Sequence, residues 1–106
     1  MERYQRDGKV AVLISPGFGS GWSTWNEGYP NLMFDPQIVD LVLNYNGHDV
    51  SQRIEAICEI KYPDAYLGGV EDLTVMWVNT GERFVVSEYD GSESIKREKD
   101  MRWITA

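Results

Sequence analysis

Val10-Ala11-Val12-Leu13-Ile14 is an unbroken apolar run that stops at Ser15-Pro16-Gly17. Five apolar residues bounded by turn formers predict a strand buried on both faces, at the centre of a sheet. The next pattern has a different period. Asp35-Pro36 has the form of a helix N-cap followed by proline at the first helical position. Ile38, Val39, Leu41, Val42 and Leu43 then supply a broad helical stripe that ends in Asn44-Tyr45-Asn46-Gly47. Asp49 or Ser51 can cap a second helix in which Ile54, Ile57, Cys58 and Lys61 recur on one side and Glu55 and Glu59 face solvent. Tyr62-Pro63 stops it, because the residue before a proline is pushed out of helical geometry.

Beyond the connector Pro63–Asp72, with its Gly68-Gly69 pair, the pattern turns to strands. Leu73-Thr74-Val75-Met76-Trp77-Val78 is rich in β-formers, and Asn79-Thr80-Gly81-Glu82 turns the chain into Arg83–Tyr89. Asp90-Gly91 is a second hairpin turn. It leads into Glu93–Glu98, whose charges suit an exposed edge, and Trp103 and Ile104 are expected to fold back over the core. The fold class that follows is α+β: one domain over 1–106, ordered β-α-α-β-β-β, with two helices on one face of a mainly antiparallel sheet.

Composition narrows the setting. No stretch approaches the roughly 20 apolar residues of a membrane span, and the first nine residues are too polar for the apolar centre of a secretory signal, so a cytoplasmic protein is expected. The lone Cys58 forms no intrachain disulfide and reads as a small core residue. The net charge is −7, unevenly spread: between residues 10 and 95, thirteen acidic residues face only Arg53, Lys61 and Arg83, a net −10. Such a body repels nucleic acid unless the basic residues at the two ends of the chain form a patch of their own, and it suits a protein partner with a basic surface.

The segment least explained by folding is Ser15–Pro30, with Gly17, Gly19, Gly21 and Gly28 among Phe18, Trp22, Trp25 and Tyr29. Glycines after a strand can present successive backbone N–H groups to an anion, which is how phosphate-cradling loops work. The selective parts are missing, however: Trp22 stands where a Walker loop needs lysine, the dinucleotide spacing fails, and no lysine occurs between Lys9 and Lys61. Two readings remain beside that of a purely structural loop with Trp22 and Trp25 tucked over the core edge. Phe18, Gly19, Gly21, Trp22, Ser23, Trp25, Asn26 and Tyr29 can form an aromatic surface for a protein partner. They can instead enclose a planar, nucleotide-like molecule whose phosphate Arg53 or Arg83 would neutralise.

No assembled catalytic signature is present, so an enzyme, which would have to be a carboxylate-dependent hydrolase, comes third among the expected classes, and no cofactor or metal is expected. The only histidine, His48, falls in the short turn between the helices and has no nucleophile beside it. With Cys58 it makes too few soft ligands for zinc. Asp64, Glu71 and Asp72, or Glu88, Asp90 and Glu93, lack a selective cation spacing, and the Glu88–Glu93 run reads as a hairpin turn with a solvated charged rim.

Three stretches together resemble a group of small bacteriophage and prophage proteins: Ser15–Asn26, Phe34-Asp35-Pro36-x-Ile38-Val39 and Glu88–Ile95. The resemblance spans most of the chain and carries no catalytic or binding residue with it. It implies an accessory protein that binds and inhibits a host protein in the host cytoplasm, including components of antiviral defence.

Overall fold

The computed structural model describes residues 2–45 and 47–106; Asn46, in the run expected to end the first helix, lies outside them. The apolar run forms the strand Lys9–Ile14 (β2), central in a three-stranded antiparallel sheet between Gln5–Arg6 (β1) and Thr74–Asn79 (β3). Being central, β2 is buried on both sides. Ala11 and Leu13 face one layer, and Val12 and Ile14 face the other.

The first layer is helical. Pro36–Asn44 (α1) and Val50–Lys61 (α2) bring Ile38, Val39, Leu41, Ile54 and Cys58 onto the sheet together with Trp22 and Leu32. Asp35 caps α1 as its position predicts, its Oδ1 accepting from the N–H groups of Gln37 and Ile38 at 2.9 and 3.2 Å. Its other oxygen reaches α2, accepting from the Tyr62 hydroxyl at 2.6 Å and the Lys61 ammonium at 3.2 Å. One buried carboxylate therefore fixes both the start of α1 and the end of α2. At the start of α2, Asp49 caps by position only, its side chain being engaged by Arg53 Nε at 2.8 Å.

The second layer is a hairpin. Phe84–Tyr89 (β4) and Ser92–Arg97 (β5) pair only with each other, stacking Phe84, Val86 and Ile95 on Val12, Ile14 and Val78. The expected meander is thus divided: the turn after β3 carries the chain out of the first ladder to the opposite face from the helices. Two Asp-Gly pairs make the tight turns. Asp90 and Gly91 have φ of 49° and 84°, and Asp7 and Gly8, joining β1 to β2, have 53° and 76°, the left-handed geometry of a two-residue hairpin loop. Trp103 and Ile104 do not cover the core. Both are exposed, on the segment 101–106, which has no regular structure.

Candidate functional site

The Ser15–Pro30 segment leaves β2 and turns beneath the tip of the β4–β5 hairpin. Ser15 O accepts from Glu93 N at 2.9 Å, Gly19 N donates to Asp90 O at 2.7 Å, and Ser92 Oγ donates to Pro16 O at 2.7 Å. Gly91 sits so close to the loop that a Cβ on it would lie 2.4 Å from Ser20 N. The two parts form one unit.

Glu93 is the centre of that unit, 2% exposed. Oε1 accepts from Ser15 N at 2.9 Å, and Oε2 accepts from Trp22 N at 2.9 Å, Thr24 N at 3.0 Å and the Thr24 hydroxyl. The Gly17–Gly21 run does not supply these donors: Ser15, Trp22 and Thr24 on either side of it converge, and the anion they hold is a carboxylate of the same chain. Three main-chain donors and a hydroxyl replace the water that a buried carboxylate loses. The reading of Glu88–Glu93 as a solvated rim holds for Glu88 and Asp90, which are exposed, and fails for Glu93. Period-2 alternation explains the difference, since Glu93 shares the inward face of β5 with Ile95.

The expected site residues divide by burial. Trp22 is fully buried, its indole N–H donating to Leu32 O at 3.2 Å. Ser23 is buried on the short 3-10 turn Ser23–Trp25. Asn26 is buried as a bridge, donating from Nδ2 to Trp22 O at 2.8 Å and Tyr66 O at 2.9 Å while Oδ1 accepts from Tyr66 N at 2.6 Å. Tyr29 meets Tyr62 edge to face at 5.3 Å. Gly19 takes a φ of 96° at the loop apex, and Gly21 lies against Thr24 and Trp25. These residues shape the loop from within.

What reaches solvent is a smaller aromatic set. Phe18 is 73% exposed and Trp25 38% exposed. The Trp25 ring packs on Tyr66 at 5.5 Å, and its indole N–H donates to Glu88 Oε1 at 2.6 Å. Tyr89, 78% exposed, stands at the hairpin turn that Gly19 touches. Tyr66 and Tyr89 are additions to the expected set. Periodicity gave no sign of Tyr66, in an irregular connector, while Tyr89 was legible as an exposed residue at a hairpin tip.

No protein-family model matches the chain, and no curated protein or solved structure matches it. The arrangement of charge and aromatic surface is therefore the basis for interpreting the site. The antiparallel registers place Ser15, Thr74, Glu88 and Asp90 at one end of the two sheets and Lys9, Asn79, Phe84 and Arg97 at the other. The aromatic end carries Glu71, Asp72, Glu88 and Asp90 on its strands and turns. The opposite end collects basic residues from both termini around Trp77. The Arg6 guanidinium lies 5.3 Å from its ring, and Arg97 Nη2 donates to its carbonyl at 2.7 Å. That basic end is partly neutralised internally, by Arg97 with Glu82 at 3.6 Å and Arg83 with Glu98 at 3.3 Å.

Burial, and next the nearby Asp35 charge, push the Cys58 thiol up to about 11, which suits an inert core residue. His48 is exposed in the interhelix turn beside an open cavity of about 320 Å³ that Glu71 also lines. Among the described residues no three His, Cys, Asp or Glu side chains gather as a metal site, and no helix is long and apolar enough to cross a membrane.

Proposed function

We propose that the chain is a non-enzymatic binding protein that presents an aromatic surface rimmed by carboxylates to a basic patch on another protein. The observation that carries this reading is the combination of Phe18, Trp25, Tyr66 and Tyr89 at the surface with the hydrogen-bonded unit beneath them. Large exposed aromatics on a preordered frame lose little conformational freedom on binding, which makes them effective contact residues. Glu88 and Asp90 at their border favour lysine and arginine on the partner and speed encounter. The phage resemblance gives the proposal its biological form, inhibition of a host protein such as a component of antiviral defence.

The alternative of a sequestered nucleotide-like molecule loses its main support. The N–H groups that do converge, from Ser15, Trp22 and Thr24, already bind Glu93, Gly19 N is bonded to Asp90 O, Arg53 is paired with Asp49 and Arg83 with Glu98. The test is affinity capture from host lysate using the purified chain, Trp25→Ala and Phe18→Ala. The expected result is a basic protein recovered at low salt, with each variant weakening its binding by about fivefold or more, the equivalent of about 1 kcal/mol. Recovery of no protein, or equal recovery by all three chains, contradicts the proposal.

A further inference from the structure

The backbone of β4 has one side with nothing attached. Its register with β5 and the bond from Glu98 N to Arg83 O at 3.0 Å show that odd-numbered residues turn their N–H and C=O groups toward β5. Phe84, Val86 and Glu88 therefore direct theirs outward, and among the described residues none of these groups has a hydrogen-bond partner. The outer sides of β3 and β5 are closed in part. Along the outer side of β3, Trp77 O takes Arg97 Nη2 and Asn79 O takes Glu82 N, and on β5 the outward Glu93 N is bonded to Ser15 O. The usual guards of an edge are also missing at its centre: Phe84-Val85-Val86-Ser87 has no charge, proline or bulge, and Val85 is half exposed.

We infer that β4 is a self-association edge, pairing antiparallel with β4 of a second copy around a two-fold axis at Val86. That register is the one in which all three outward residues on each chain are used, with Phe84 opposite Glu88 of the other copy and Val86 opposite Val86. Self-complementarity selects the second copy as the occupant. Antiparallel pairing about Val86 lays Arg83, whose side chain is 84% exposed, directly opposite Tyr89, 78% exposed, of the partner on the same outer face, a cation–ring contact made twice about the axis. Tyr89, one of the four aromatics proposed to meet another protein, lies at the end of this pairing, whereas Phe18, Trp25 and Tyr66 lie outside β4, and the inference does not rest on that proposal.

Sedimentation velocity over a range of concentrations tests the pairing. The chain is expected to approach twice its 12.2 kDa mass, and Arg83→Glu, which removes the cation over Tyr89, is expected to weaken association severalfold. Val86→Pro removes an outward N–H and is expected to be monomeric, whereas Met76→Lys on β3 is expected to remain dimeric. Should Val86→Pro fail to fold, cross-linking decides. Val85→Cys mixed with Ser87→Cys is expected to form a mixed disulfide dimer under mild oxidation, and Val85→Cys alone to form several-fold less. A chain that stays monomeric at about millimolar concentration, a folded Val86→Pro that still dimerises, or equal cross-linking of the single variant and the mixture overturns the inference.

Discussion

A single carboxylate decides the behaviour of the glycine-rich loop. Glutamine at position 93 keeps the shape but places an NH₂ against N–H donors, so Glu93→Gln leaves buried main-chain donors unpaired at Trp22 and Thr24 or at Ser15. A loss of about 2–4 kcal/mol is expected, lowering the melting temperature by roughly 10 °C or more in calorimetry. Glu88→Gln, at an exposed site, is expected to change stability by less than about 1 kcal/mol in the same measurement. Tyr62 gives a pH signature. Burial, and next its hydrogen bond to Asp35, raise its pKa above the unfolded value of about 10. The folded state therefore resists deprotonation. The stability held by the neutral phenol is complete below about pH 10 and is lost as pH rises from there toward the folded pKa. Urea midpoints from pH 9 to 11.5 are expected to fall more steeply for the native chain than for Tyr62→Phe. Cys58 is expected to react with an aromatic disulfide reagent at pH 8 only after denaturation, since both burial and its raised pKa withhold the thiolate.

At the scale of elements, what could be read from the sequence was whatever local pattern determines. β2 was legible because a strand flanked on both edges and covered on both faces must be apolar throughout, and α1 because Asp35-Pro36 fixes its start. The Asp90-Gly91 turn was legible from backbone chemistry alone. The Asp7-Gly8 turn carries the same signal, in a stretch too polar to mark the short strand before it. The division of the strands into two layers was not legible, because β3, β4 and β5 alternate in the same way whether β4 continues the first ladder or stacks on it. The same gap hid Glu93, whose donors lie 69 to 78 residues away in sequence. Gly91 ties the hairpin to the loop and tests their union. Its φ of 84° and the 2.4 Å approach of Ser20 N to any added Cβ predict that Gly91→Ala costs at least about 1–2 kcal/mol by chemical denaturation. Gly28→Ala, with open space around it, is expected to cost well under 1 kcal/mol.

At the scale of the whole molecule, the fold sorts the charges that the sequence had already separated. Residues from the two ends of the chain meet around Trp77, while the loop and hairpin tip carry carboxylates and aromatics at the opposite end of the strands. Such a molecule has a directional field, so capture of a basic partner is expected to slow markedly between low and physiological salt with little change in its dissociation rate. The central claim is that the amides of Ser15, Trp22 and Thr24, which flank the glycine run, are occupied by Glu93, making the segment a rigid platform for its exposed aromatics rather than an open anion cradle. Amide hydrogen exchange at single-residue resolution tests it most directly. Ser15, Trp22 and Thr24 are expected to be protected in the native chain, and in Glu93→Gln to lose at least about tenfold of that protection while β2 keeps its own. Rapid exchange at these three amides in the native chain, or protection unchanged in the variant, would contradict the claim.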